Sequence, residues 1–222
     1  MSVTRLLTVT FLLFGYGLAQ EMPVVPYDSL MEDRVSIDGY VDREDNEYPG
    51  YLKSPSTGLT VSWGFDDSLI YLALETRGRG WFGIGFGAPG MDGSNMLVGF
   101  YTDDSAEVYN LVGKAHGHPE RVSVDSLDLD WEVDFDDETG VMTLEVAYPL
   151  TWRGEGAPAA FSENRMFAGT AIPGLVPGDT FDLILAQNTK SVSLGAKHSH
   201  RTTLKARLAE RPKPSAQSKG EE

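Results

Sequence analysis

The side chains of this sequence best suited to hold a transition metal are four histidines in two His-x-His pairs. The pairs are His116/His118 and His198/His200. In an extended chain, residues two apart point to the same side, so either pair has the spacing to chelate copper or zinc through imidazole nitrogens. The first pair lies in the loop-like stretch HGHPE, where a solvated surface role is the simpler interpretation, whereas the second pair opens the last predicted strand.

A methionine and a glycine-rich strand are the second group of candidates. Met91 lies in the turn-like stretch APGMDG, where a methionine either caps the end of a sheet or offers its thioether as a soft ligand for iron. In WFGIGFG (81–87), Trp81, Gly83 and Gly85 share one face of the extended chain. Glycines favour a strand interior only where something approaches the backbone, either a flat ligand or a closely packed sheet or aromatic ring.

Composition excludes several kinds of site. The chain has no cysteine, which excludes disulfides, thiolate metal sites, iron–sulfur clusters and covalently attached c-type haem. It also has no nucleophile elbow, no H-E-x-x-H helix and no phosphate-binding loop. Its paired carboxylates, in FDDS, YTDDS and FDDETG, have the composition of hairpin turns. The sequence therefore offers little for ordinary enzyme chemistry, and we expect a protein that is not an enzyme.

The beginning and the charge of the chain indicate an exported protein. Residues 1–19 combine Arg5 with an apolar run that ends in small residues, which is typical of a signal peptide cleaved after Ala19. The formal net charge of −15 repels nucleic acid and anionic membranes and favours a basic partner. We therefore expect a periplasmic or extracellular protein without a transmembrane span in its mature form.

The pattern of apolar and turn-forming residues between residues 35 and 209 predicts one all-β domain. Short alternating runs are separated by turns rich in glycine, aspartate and proline, a pattern typical of an antiparallel β-sandwich of immunoglobulin-like type. Residues 20–34 are expected to form an N-terminal arm, and residues 210–222 a disordered tail. A long irregular stretch at 153–169 is expected to cover a site. Nine strands are predicted: 59–63, 69–75, 81–87, 96–102, 106–112, 131–135, 141–150, 180–188 and 202–208.

Five stretches in this order resemble the prokaryotic, haem-binding branch of the DOMON domains, with a more distant similarity to the cytochrome domain of cellobiose dehydrogenase. They are VSIDGYVDREDNEYPGYL, TGLTVSWGFDDSLIYLALE, GRGWFGIGFG, MDGSNMLVGFY and LGAKHSHRTTLKARL, and they cover about residues 35 to 208. The family's glycine-rich motif matches Gly93, Ser94 and Asn95. Its terminal motif matches Lys197, His198, Ser199 and Arg201.

The resemblance implies a b-type cytochrome. In that family, haem b is held non-covalently between a methionine after the glycine-rich strand and a histidine at the start of the last strand. These positions correspond to Met91 rather than Met96, and to His198, with His200 as a competing ligand. Trp81, Gly83 and Gly85 would then lie against the macrocycle. A Met/His pair fills both axial positions of the iron, which suits electron transfer.

Two alternatives and one partner follow from the same residues. A non-redox module would bind a carbohydrate or another small ligand on a stacking platform of tryptophans. A copper or zinc carrier would use the His-x-His pairs. Because the chain carries no second domain, a cytochrome of this kind needs a separate redox partner protein, basic or membrane-bound. The tryptophans concerned are Trp63, Trp81, Trp131 and Trp152.

Overall fold

The computed structural model describes residues 21–102, 105–114, 120–122, 129–151, 172 and 174–213. The signal peptide, the stretch at 153–169 and residues 214–222 of the tail lie outside the described residues. The described chain forms these elements, in order: β1 (Val24–Val25), α1 (Met31–Arg34), β2 (Gly50–Lys53), β3 (Thr60–Phe65), β4 (Leu69–Arg77), β5 (Phe82–Phe86), β6 (Asn95–Tyr101), β7 (Ala106–Val112), β8 (Glu120–Val122), β9 (Asp130–Asp136), β10 (Val141–Pro149), β11 (Thr180–Gln187) and β12 (His200–Leu208).

The strands form two sheets that face each other. The seven-stranded sheet has the order β1-β12-β11-β5-β6-β7-β8, and the five-stranded sheet has the order β2-β3-β4-β10-β9. All neighbours are antiparallel except β1 and β12, which run parallel. The predicted antiparallel β-sandwich is therefore confirmed, and each of the nine predicted strands overlaps an observed one.

Alternation along the strands fills the space between the sheets. In β5, Phe82, Ile84 and Phe86 point into the shared core and are almost completely buried. Each buried side chain of this size stabilises the fold by roughly 1.5–3 kcal/mol. The residues between them face outward, where a second apolar cluster lies on the outer surface of the seven-stranded sheet. Its members are Met96, Val98, Leu111, Trp81, Tyr109, Ile184 and Leu194.

The predicted N-terminal arm packs against the sandwich over its described part. Val24 and Val25 pair with β12, and Met31 is fully buried on the outer face of the five-stranded sheet. The described part of the arm therefore covers one face of the five-stranded sheet.

A buried carboxylate holds the segment after the arm in place. Glu145, in β10, is 0% exposed and accepts hydrogen bonds from the backbone N–H groups of Asp38, Gly39 and Tyr40 at 3.1, 2.8 and 3.2 Å. The Tyr48 hydroxyl donates to its other oxygen at 2.7 Å. Burial outweighs these bonds and raises the pKa of Glu145 from 4.5 to about 7.

This shift predicts a pH-dependent stability. Between pH 4.5 and 7 the folded protein keeps a proton on Glu145 that the unfolded chain has released, so its contribution to the free energy of unfolding falls as pH rises through that window. The contribution lost is on the order of 3 kcal/mol. We expect Glu145→Gln to remove this part of the pH dependence in urea denaturation, whereas Glu138→Gln, in an exposed turn, should leave it unchanged. A stability difference between wild type and Glu145→Gln that is constant from pH 4.5 to 7 would contradict the prediction.

Candidate functional site

A cavity of about 340 Å³ lies on the outer face of the seven-stranded sheet, against the second apolar cluster. Its volume is within the range of small-ligand sites. Its walls are apolar side chains, glycine and alanine, with one histidine and one lysine, and the described lining contains no carboxylate. The lining residues are Trp81, Met91, Met96, Val98, Leu111, Leu194, Gly195, Ala196, Lys197 and His198.

The turn that carries Met91 is held by short backbone contacts. The Met91 carbonyl accepts from the Ser94 N–H at 3.1 Å, and the fully buried Ser94 hydroxyl donates to the carbonyls of Ala88 and Gly90. The Gly113 N–H, directly after β7, donates to the Ser94 carbonyl at 2.9 Å. These hydrogen bonds fix the backbone of the turn, and Met91 itself is 40% exposed and lines the cavity.

The segment that carries His198 folds back on the end of β11. The Asn188 side chain donates to the Lys197 carbonyl at 2.8 Å and accepts from the Ser191 N–H at 2.9 Å. The Ser199 N–H and hydroxyl both donate to the Gln187 carbonyl, at 2.8 and 3.2 Å. His198 therefore lies between two residues whose backbone positions are fixed.

Two further hydrogen bonds connect these segments to the sheet and to each other. The Trp81 indole N–H donates to the Ala196 carbonyl at 3.2 Å, which joins the start of β5 to the His198 segment. The Thr203 hydroxyl, in β12, donates to the Pro89 carbonyl at 3.0 Å, which joins the last strand to the Met91 turn. The two halves of the cavity wall are thus linked through β12.

The surroundings of His198 favour its neutral form. Partial burial lowers the pKa of the imidazole, the positive charges of Arg201 and Lys197 lower it further, and a hydrogen bond to its own backbone acts in the opposite direction. Metal ligation requires the neutral imidazole, so this electrostatic environment suits a ligand.

The structure brings together three of the five residues singled out from the sequence. Met91, His198 and Trp81 all line the one cavity. Gly83 and Gly85 lie on the same outer face but beneath its side chains, and neither is among the described lining residues. A Cβ at Gly85 would come within 2.7 Å of Ile184 and 2.9 Å of Met96, so neighbouring side chains approach the backbone at this glycine.

The same geometry distinguishes among the alternative candidate ligands. Met96 also lines the cavity, at 8% exposure, whereas His200 is an exposed residue of β12 whose ring lies 3.2 Å from the Ser199 hydroxyl. The pair His116 and His118 lies outside the described residues. In the part of the chain that the structure describes, no group of three or more histidines, cysteines or carboxylates could hold a metal ion. The possible iron ligands in the cavity are the thioether of Met91 or of Met96 and the imidazole of His198.

The tryptophans do not form one stacking platform. Trp63, in β3, is 1% exposed in the core, and Trp131, in β9, packs against the same core. Both belong to the five-stranded sheet, away from the cavity. Trp81 alone of the three described tryptophans lines the cavity, while Trp152 lies outside the described residues. A carbohydrate at this site would find one aromatic ring.

Sequence reasoning missed the residues that support the site. Asn188 and Ser199 hold the His198 segment, and Ser94 holds the Met91 turn, yet none of them was given a role. Asn188 had a usable signal, because an asparagine directly after a strand commonly binds the backbone two or three residues on. Ser94 binds the Ala88 and Gly90 carbonyls of its own turn, and Ser199 binds Gln187 across the β11–β12 connection, but neither has the short spacing that marks Asn188.

Comparison with solved structures places the fold among known sandwiches. The cytochrome b domain of pyranose dehydrogenase from Coprinopsis cinerea matches with a TM-score of 0.51 and 12% identity, over 70% of this chain and 80% of that chain. This chain has the fold of that cytochrome domain. The sandwich fold implied by the resemblance is thereby confirmed, at the level of the fold alone, whereas membership of the prokaryotic haem-binding branch of the DOMON domains stays a prediction.

Two other structures are similar at lower scores. The cytochrome domain of cellobiose dehydrogenase from Myriococcum thermophilum has a TM-score of 0.47 and 18% identity, over 79% of this chain and 91% of that chain. A family 9 carbohydrate-binding module from Caldicellulosiruptor kristjanssonii, in complex with glucose, has a TM-score of 0.42 and 12% identity, over 86% and 97%.

Sequence comparison and the search for membrane helices add two findings. No family model matches the chain, and no curated protein sequence matches it significantly. No helix within the described residues is long and apolar enough to cross a membrane.

Proposed function

We propose that this protein is an exported b-type cytochrome that binds haem non-covalently in the outer cavity and transfers electrons. The observation that carries the proposal is that Met91 and His198, far apart in the sequence, line one cavity on the outer face of the seven-stranded sheet. When bound, haem b supplies a one-electron iron couple.

The donor set fits an iron with two axial protein ligands. A thioether and a neutral imidazole are the combination found in low-spin electron-transfer haems, and the thioether raises the potential. The described lining includes no carboxylate that would favour a hard cation. Trp81, Val98 and Leu111 give the cavity the apolar wall that a porphyrin requires.

The residues of the chain perform three tasks in this proposal. His198 would hold the iron through an imidazole whose neutral form its surroundings favour. Met91 would hold it through its thioether. Asn188 and Ser199 hold the histidine segment in one position, which limits the reorganisation that accompanies a change of charge. Electrons then pass to and from a separate redox partner protein.

An absorption spectrum tests the proposal directly. The protein, produced with haem supplied, should show a Soret band, and sharp α and β bands should appear on reduction, because two strong axial ligands make the iron low-spin. Titration of the cofactor-free protein with haemin should saturate at one haem per chain. A colourless protein that fails to take up haemin and instead binds glucose or cellotriose would favour the carbohydrate-binding alternative, and zinc or copper uptake without haem uptake would favour the metal carrier.

A further inference from the structure

The segment that carries His198 has a charge of opposite sign to that of the whole chain. The chain carries a net charge of −15, but residues 187–205, which include His198, contain no aspartate or glutamate. The same segment contains four cations: Lys190, Lys197, Arg201 and Lys205. A stretch of this kind is unusual in a chain with 33 acidic and 18 basic residues.

Three of these cations have no ion-pair partner within the described residues. Lys205 pairs with Asp182 at 3.0 Å, whereas Lys190, Lys197 and Arg201 are exposed and make no salt bridge to the described chain. Lys197 itself lines the cavity. We call Lys190, Lys197 and Arg201 the basic rim.

The basic rim is held in position close to His198. Lys197 directly precedes His198 and lines the same cavity, and Arg201 follows three residues later, at the start of β12. Lys190 and Lys197 belong to the segment that Asn188 fixes, because the Asn188 side chain binds the Lys190 N–H at 2.9 Å and the Lys197 carbonyl at 2.8 Å. The positive charges therefore have a fixed relation to the cavity.

We propose that the basic rim is the docking surface for the redox partner and that the partner presents carboxylates to it. This inference rests on the proposed function, since it concerns the partner of the same site. Net charge favours a basic partner, but docking depends on the charge within about a Debye length of the contact, which is about 8–10 Å at physiological salt. On docking, the partner's acceptor gains one electron from the iron, and no bond forms or breaks.

The first test uses the cofactor-free protein and does not depend on haem. Backbone amide NMR signals are followed during titration with polyglutamate at low ionic strength, and with polylysine for comparison. Polyglutamate should shift signals of residues 188–201, and the double substitution Lys190→Glu/Arg201→Glu should reduce the affinity about tenfold or more. Neither side chain lines the cavity, so the double variant should take up haem like the wild type.

The matched control carries the same change of charge at the other end of β12. Arg211→Glu/Lys213→Glu alters two cations beyond Leu208, where Arg211 binds the Asp67 carbonyl at 2.7 Å. It should leave polyglutamate binding within about twofold. Shifts at residues 188–201 with polylysine alone, or equal loss of affinity in both double variants, would overturn the proposal. Binding of phosphatidylserine vesicles at the rim without binding of polyglutamate would replace a protein partner by a membrane and overturn it as well.

The second test uses the haem-loaded protein and small oxidants of known charge. Ferricyanide is an anion and hexaammineruthenium(III) a cation, and both accept one electron. Oxidation of the reduced protein by ferricyanide should slow about threefold or more between 10 and 200 mM ionic strength, while hexaammineruthenium(III) should show the opposite trend. Lys190→Glu/Arg201→Glu should reverse both trends. A wild type that reacts faster with the cation at low salt would show that the net charge governs the approach.

The two proposals fail in different ways. If the protein takes up no haem, the proposed function fails, while the NMR titration still decides the charge of the docking surface. A remaining possibility is that the basic rim pairs with the carboxylates of the haem itself. The variant Lys197→Glu distinguishes this possibility from docking of a partner. Loss of haem affinity in that variant, with unchanged polyglutamate binding, would assign the rim to the cofactor and overturn the docking proposal.

Discussion

His198→Ala should lose haem, whereas His200→Ala should keep it. The two histidines are two residues apart, but only His198 lines the cavity, and His200 is exposed at the start of β12. Outer-shell changes at metal sites commonly cost 10–100-fold in affinity, so removal of the ligand itself should cost about a hundredfold or more. Haemin titration followed at the Soret band measures both variants against the wild type, and His200→Ala should agree with it within about twofold.

The methionine side of the same prediction uses a second matched pair. Met91→Leu and Met96→Leu each replace a thioether in the cavity by a side chain of similar volume. Only Met91→Leu should convert the low-spin spectrum to a high-spin one, because its sulfur is the proposed sixth ligand. Met91 is 40% exposed, so the change should alter the free energy of unfolding by less than about 0.5 kcal/mol. A low-spin spectrum in Met91→Leu that is lost in Met96→Leu would transfer the role to the buried methionine.

The fold was predictable because its core strands are long and clearly bounded. In β5 the apolar residues alternate with glycine, and in β10 an eight-residue run stands between a turn and Pro149. The missed strands have no such pattern. β1 has two residues and exists through its parallel pairing with β12, and β2 is the short run GYLK, whose burial alternates but whose polar and aromatic residues conceal it.

The site was predictable only where the resemblance identified its residues. Composition and spacing left two explanations for Met91, a cap at the end of a sheet or an iron ligand. They did not distinguish His198 from His200 as the second ligand. What the sequence could not provide is the pairing of strands. Because β5 lies between β11 and β6, Trp81 and Met96 share one outer face with the His198 segment, and this neighbourhood depends on long-range register.

The glycines of β5 show how a correct pattern received an incomplete explanation. The prediction that something approaches the backbone at Gly83 and Gly85 holds, because an added Cβ at Gly83 would lie 2.4 Å from the Leu97 carbonyl oxygen. The close neighbours are the adjacent strands and their side chains, including Met96. Any effect of these glycines on a bound ligand would therefore be transmitted through Met96 and the side chains beside it.

Gly113→Ala should displace the Met91 turn, which is the second large effect that we expect. A Cβ at Gly113 would lie 1.4 Å from the Met91 carbonyl oxygen and 2.4 Å from its carbonyl carbon, where ordinary contacts are about 3.5–4 Å. These are backbone atoms that cannot rotate away, so the turn must move by about 2 Å. The hydrogen bonds from Gly93 to Gly113 and from Gly113 to Ser94 would be strained or lost with it.

Gly113→Ala should disturb haem binding much more than it lowers the free energy of unfolding. Overpacking of this kind costs about 1–3 kcal/mol, so most of the sandwich should persist, while a thioether displaced by about 2 Å can no longer bind an iron that His198 holds. We expect Gly113→Ala to fold, to bind haem more weakly and to show a high-spin spectrum. Gly90→Ala is the control in the same turn, because nothing lies within 4 Å of its added Cβ and its φ angle is not positive. If Gly113→Ala kept a low-spin spectrum with wild-type affinity, the turn would not be the part of the chain that supplies the sulfur ligand, and Met96 would take its place.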